Sequence, residues 1–160
     1  MIYLVKLAKV MAWVAVAAWM VVIFNFSAQS GPESGRVSQE VTEVIVETIE
    51  KVVPEAQFEP VDLHRKVRKG AHFINFMILG IFVSNALLVS KWGGWRKRAL
   101  LAFLIAFCYA LFDEGHQYFV PGRGAQFSDV LVDTMGAAVG ITIYLGLAAI
   151  FGKCRLKKRI

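Results

Sequence analysis

The sequence predicts an all-α fold: an integral membrane bundle of four transmembrane helices, with an outer amphipathic helix between helices one and two. Three observations carry this reading. The chain is 57% hydrophobic and 19% charged over 160 residues, with a mean hydropathy of +0.55, which is too apolar for a soluble domain of that size. Four apolar stretches, at about residues 10–26, 70–89, 99–119 and 130–151, match the roughly 20 residues that cross a hydrocarbon core as helix. Their apolar character is continuous, whereas the strands of a membrane barrel alternate polar and apolar residues. Helices, which satisfy their own backbone hydrogen bonds in lipid, are therefore expected. The whole chain, 1–160, reads as a single membrane domain.

Helix one follows Lys6 and Lys9, an arrangement shared by signal peptides and membrane helices. The run is long and the FSAQ that follows it, Phe26 to Gln29, lacks a small-x-small cleavage site, so retention is expected. Basic residues set the orientation. Lys6 and Lys9, then Lys91, Arg96, Lys97 and Arg98 between helices two and three, then Lys153, Arg155, Lys157, Lys158 and Arg159 at the end make up 11 of the 18 Lys and Arg. All 12 acidic residues lie in the other two loops or at the helix ends that border them. Because Lys and Arg stay preferentially in the cytoplasm, both termini are expected there. The net charge of +6 then calls for no nucleic acid; cationic inner loops are usual and meet anionic membrane lipids. Cys108 falls within helix three and Cys154 in the basic tail, so no disulfide is expected.

The outer segment after helix one opens with GPESG, Gly31 to Gly35, read as a turn. Val37, Val41, Val44, Ile45, Ile49 and Val52 then recur at helical spacing, with Glu40, Glu43, Glu47 and Glu50 between them. An amphipathic helix over about Arg36 to Val53 follows, stopped by Pro54. Its polar face is acidic, whereas helices that lie on lipid usually carry Lys and Arg, so it is expected to pack on the bundle as a lid or side wall.

Helix two begins with HRKVRKGAHF, His64 to Phe73, which sets four basic residues on the outer side against the topology rule. Arg65, Lys69, His72 and Phe76 share a helical stripe, with Arg68 four residues before His72. Cations that snorkel to headgroups are one account. His72, a turn inside the helix, favours the other account, a polar cavity in the bundle interior.

Helix three ends in DEGHQYFVPGRG. Asp113, His116 and Gln117 share one face, and Glu114 is turned about 100° away. The glycines of PGRG, Pro121 to Gly124, leave backbone amides and Arg123 free to approach an anion. Helix four begins at the same level with Asp129, Asp133, Gly136 and Gly140 on one stripe. Its small-xxx-small glycines are a packing face, which directs both aspartates at a neighbouring helix rather than at lipid.

Taken together, RKxxHF (Arg68, Lys69, His72, Phe73), DExxQ (Asp113, Glu114, Gln117), PGR (Pro121, Gly122, Arg123) and the later Asp129, Gly136 and Gly140 resemble the VanZ-like family of small bacterial membrane proteins. The resemblance runs from Phe26 to Gly140. Two positions depart from the family pattern: Phe76 stands where tyrosine is frequent, and Asp133 where asparagine is usual. The family is named for a protein that confers low-level teicoplanin resistance, so the resemblance implies a multi-pass protein of the bacterial cytoplasmic membrane with a role in the cell envelope. It supplies no reaction, and a shared fold cannot supply one.

Two functions fit these residues. In the first, Arg68, Lys69 and Arg123, with Gln117, Asp129 and Asp133, hold an anionic lipid-linked envelope precursor or a glycopeptide-type drug through charge-assisted hydrogen bonds. His72, His116, Asp113 and Glu114 then have the chemistry for proton transfer. In the second, the same charges are a paired network that braces the bundle, and the outer surface binds a lipid, drug or protein. A transporter fits less well, since no repeats or broken midplane helices are visible. No cofactor is expected. A divalent metal held by Asp113, Glu114, Asp129 and Asp133 is a variant of the first reading, and HExxH, CxxC and nucleophile-elbow patterns are absent from the sequence.

Overall fold

A computed structural model describes residues 2–36, 39–40, 43–44 and 60–157. Its four long helices are α1 (Ile2–Ser27), α2 (Pro60–Val89), α3 (Trp95–Gln117) and α4 (Phe127–Lys157). Each contains a span long and apolar enough to cross a membrane: Ile2–Ser27, Arg65–Val89, Trp95–Gln117 and Phe127–Phe151. The protein is an all-helical membrane protein with four such spans. Helix ends differ from the sequence reading by several residues. The apolar count misses polar residues that still propagate the helix, so Lys6 and Lys9 lie inside α1; it also takes in Tyr118 and Phe119, which lie beyond the end of α3 at Gln117.

The GPESG stretch is a correction. Residues 31–36 are helical, not a turn. Pro32 sits in the first turn, where its missing N–H would have had no helical partner, and the Ser34 amide closes that turn on the Ser30 carbonyl at 2.9 Å. Most of the predicted amphipathic helix, 36–53, lies outside the described residues. Residues 39, 40, 43 and 44 are helical, and Gln39 donates to the Glu43 carboxylate at 3.1 Å along the helix.

Between α2 and α3 the chain reverses in five residues through a cap whose hydrogen bonds are specific. The Lys91 amide bonds the Leu88 carbonyl and the Trp92 amide bonds the Leu87 carbonyl, both at 3.1 Å. Lys91 carries the left-handed conformation, with φ of 59°. This is the bonding of a Schellman cap, with lysine where glycine is usual.

α2 is the central helix and packs against each of the other three, most extensively against α4. Phe76, Leu79, Val83 and Leu87 of α2 are buried in the core, opposite Ala102, Ala106 and Ala110 of α3. The α2–α4 contact is set by backbone proximity. A side chain on Gly136 would collide with the Phe73 carbonyl, and one on Gly140 with the Met77 carbonyl. Gly80 returns the relation toward the Ala137 carbonyl. From Lys69–Asp129 through His72–Asp133 and Phe73–Gly136 to Met77–Gly140 the paired positions increase together along both helices, so α2 and α4 run in the same direction. The small-residue face read from the sequence is therefore occupied by α2.

α1 and α3 are tied in by aromatic donors rather than by glycine contacts. Trp19 Nε1 donates to the Asn75 carbonyl at 2.9 Å, Tyr109 Oη to the Met20 carbonyl at 2.5 Å, and Trp13 Nε1 to Ser90 Oγ at 3.2 Å. Polar tips satisfied in this way let large rings fill an apolar interior. Exposed Val14, Ile74, Leu104 and Ile143 give each helix an apolar outer surface suited to lipid.

Replacing Gly140 with leucine forces α2 and α4 apart. The expected loss is about 1–3 kcal/mol or more, the range for overpacking a tight interface, read as a lower unfolding temperature in detergent. Gly146→Ala, where an added Cβ meets nothing within 4 Å, should leave stability unchanged or slightly raised. Equal losses at both positions would mean that close approach is not what the glycine supplies.

Candidate functional site

The alternation of helix directions brings four helix ends to one face: the end of α1, the first turns of α2, the end of α3 and the start of α4. Here burial rises along the basic stripe of α2. Arg65 is exposed, Lys69 and His72 are half-buried, and Phe76 is fully enclosed. The stripe read from the sequence therefore enters the bundle, and snorkelling does not describe Lys69 or His72.

Lys69 and His72 meet α4. Lys69 Nζ lies 2.8 Å from Asp129 Oδ1 and 3.2 Å from Ser128 Oγ, while the Ser128 hydroxyl donates to Asp129 at 3.1 Å. Asp129 also sits in the first turn of α4, where the helix dipole favours a negative charge. His72 Nδ1 lies 3.4 Å from Asp133 Oδ1, within ion-pair range but without hydrogen-bond geometry, so both Asp133 oxygens lack a hydrogen-bond partner. Asp133 is completely buried.

α3 supplies Asp113 and Gln117, which bond at 3.1 Å, Nε2 to Oδ2. Asp113 is fully buried; its Oδ1 has no hydrogen-bond partner, and the buried Ser27 hydroxyl beside it does not complete one. Helical spacing grouped His116 with these two residues, whereas the structure divides the face differently. Glu114 is the buried neighbour, with Oε1 accepting the Gln126 amide, and His116 is half-buried with its ring 4.5 Å from that of Phe24. A helical wheel ignores the loop 118–126, which folds back and closes over Glu114.

That loop also departs from expectation. Gly122 has φ of 76° and lies against Gly31 and Pro32, and the Gly31 amide bonds the Pro121 carbonyl at 3.0 Å. The PGR glycine thus lets this loop dock on the first turn of the 31–36 helix, and the Arg123 amide is engaged by the Val120 carbonyl at 3.1 Å rather than free for an anion. What remains available is the Arg123 side chain. Its Nη2 donates to the Phe26 carbonyl at 3.3 Å, its Nε has no hydrogen-bond partner, and no carboxylate forms an ion pair with it among the described residues. Burial pushes the guanidinium below the usual arginine range and the nearby Arg68 charge acts in the same direction, while Asp113 and Glu114 oppose them. Arginine stays protonated through such a shift.

Arg68, His72 and Arg123 line one cavity of about 350 Å³ between α1, α2 and the loop after α3. Ile23, Phe26, Val67 and Ile74 form its apolar wall, and Ser34 and Asn75 were not anticipated from sequence as lining residues. Lys69, Asp113, Glu114, His116, Gln117, Asp129 and Asp133 do not line it. Of the four acids read as metal ligands, Asp113 and Asp133 come together, with His72 rather than with Glu114 or Asp129.

If the Lys69–Asp129 contact braces α2 on α4, Lys69→Met and Asp129→Asn should be non-additive. A double-mutant cycle on thermal stability should give a coupling of about 0.5–3 kcal/mol, as for contacting residues. Strict additivity would remove this pair from the supports of the bundle.

Compared with known proteins, the chain has no match among curated proteins or solved structures. The model of one family, described as VanZ/LLP1, matches residues 12–151. That stretch takes in every residue of the polar cluster and both walls of the cavity. The chain belongs to the VanZ/LLP1 family.

Proposed function

We propose that this membrane protein binds an anionic, lipid-linked or cell-wall-related molecule in the cavity between α1 and α2, and that it acts in the bacterial cell envelope, including in resistance to glycopeptides of the teicoplanin type. One observation carries the reading. Arg123 turns a half-buried guanidinium into a cavity shared with Arg68, with a carbonyl and no carboxylate as its bonded partner among the described residues. Two cations that face one poorly solvated space repel each other, and an anion between them removes that penalty. The planar fork of arginine suits phosphate or carboxylate, and the apolar wall suits an acyl or prenyl chain. A cavity of about 350 Å³ is of the size that takes a small ligand or headgroup.

Bracing accounts for Lys69, Asp129 and Gln117, each of which has a bonded partner, but leaves Arg123 unexplained. Of the acid-base candidates only His72 reaches the cavity, so any proton transfer to a bound ligand falls to it. The cavity would open outward, with both termini in the cytoplasm, because the opposite face carries Lys91, Arg96, Lys97 and Arg98.

The orientation is tested by cysteines placed at Glu43, Gln126 and Lys97. An impermeant maleimide should label the first two in intact cells and the third only after lysis. Labelling at Lys97 in intact cells reverses the topology.

Arg123→Lys keeps the charge and removes the fork. The folded variant should retain about tenfold less anionic lipid in native mass spectrometry, from the ~1.5–3 kcal/mol of a hydrogen bond to a charged group. Teicoplanin susceptibility should move toward that of cells lacking the protein. Unchanged lipid retention and susceptibility in the folded variant would remove Arg123 as a ligand clamp.

A further inference from the structure

We infer that His72, Asp113 and Asp133 form a binding site for one divalent transition-metal ion. Each residue offers one ligand atom, and these atoms all lie within 4.8 Å of one another. The three come from three different helices, α2, α3 and α4, so the site exists only in the assembled bundle. It goes beyond the anion reading and does not rest on it.

The evidence for a ligand lies in what the carboxylates lack. Asp113 and Asp133 are each 0% exposed, yet Asp113 Oδ1, Asp133 Oδ1 and Asp133 Oδ2 have no hydrogen-bond partner. Fully buried carboxylate oxygens without hydrogen-bond partners carry a large desolvation penalty, which a coordinated cation removes. Lys69 and Gln117 do not fill this role for Asp133: Lys69 is engaged by Asp129 and Ser128, and Gln117 by the other oxygen of Asp113.

The contact between His72 and Asp133 points the same way. Nδ1 and Oδ1 are 3.4 Å apart without hydrogen-bond alignment. That is a poor hydrogen bond, but two donors each ~2.1 Å from a tetrahedral ion are themselves about 3.4 Å apart. One Asp113 oxygen lies within 4.8 Å of both of these ligand atoms.

The donor set selects the metal. An imidazole with two carboxylates is a mixed nitrogen and oxygen site, which favours Zn²⁺ or Mn²⁺ over Mg²⁺, an ion that prefers oxygen donors and keeps its water. Three protein ligands leave a coordination position for water or a further ligand. His72 also lines the cavity of Arg68 and Arg123, so an ion at this site lies beside the space in which an anion would bind.

The test uses the full chain in detergent, freed of any affinity tag, stripped with EDTA and incubated with Zn²⁺, Mn²⁺ or Mg²⁺ alone. After desalting, bound metal is measured by inductively coupled plasma mass spectrometry. Wild type should retain one Zn²⁺ or Mn²⁺ per chain and little Mg²⁺, and its unfolding temperature should rise with the bound ion and fall again with EDTA. His72→Gln and Asp133→Asn should lose affinity by more than the ~10–100-fold that follows loss of an outer partner of a metal ligand. Arg123→Lys and Asp129→Asn should retain the ion, so that failure of the anion reading and failure of the metal site give different results. Wild type that binds none of the three ions and shows no metal-dependent unfolding shift overturns the site, whether or not the variants fold. Folded His72→Gln and Asp133→Asn that bind metal as wild type does overturn it equally.

Discussion

The site depends on the approach of two parallel helices to backbone contact. Gly136 and Gly140 let α4 lie directly on the Phe73 and Met77 carbonyls of α2. In lipid, where apolar side chains gain little by leaving the solvent, such close packing is a principal source of helix association. It also fixes the axial register. With Phe73 against Gly136, His72 must face Asp133 and Lys69 must face Asp129 one turn further out. Helices held apart by larger side chains would leave these groups separated in a poorly solvating medium.

Around that seam the protein divides its charges into two kinds. Lys69, Asp129 and Gln117 each have a bonded partner at the polar end. Arg123, Asp113 and Asp133 are buried or half-buried with hydrogen-bonding atoms left over. The two groups of unfilled atoms have opposite sign and sit side by side, a guanidinium in the cavity wall and a pair of carboxylates behind His72. A bundle selected for bracing alone would be expected to pair them with each other, since an isolated charge in a membrane interior is costly. That they stay unpaired is what motivates the two ligand proposals.

The fold was largely legible because its determinants are local. Runs such as Ala99 to Phe112 are apolar without interruption, which excludes the alternation of a barrel strand, and in lipid a helix closes their backbone hydrogen bonds within the segment. Gly136 and Gly140, four apart, marked a packing face before its partner was known. Helical spacing failed where loops intervene. It paired His116 with Asp113, whereas the returning loop 118–126 buries Glu114 and leaves His116 against Phe24. The glycines and proline of GPESG likewise signalled a turn, whereas Ser30 and Pro32 open a helix there.

By itself, then, the sequence determined the solvent of this protein, its four spans, and the end of the bundle at which polar residues gather, since each follows from hydropathy and spacing within a single segment. Which acid meets which base was decided only by the tertiary structure. Lys69 could have joined Asp113 or Asp133 as well as Asp129, and Arg123 could have closed on any carboxylate at that end. The choice rests on helix register, and register is a property of the α2–α4 glycine contact and the docking of Gly122 on Gly31, interactions between segments that no spacing within one segment encodes.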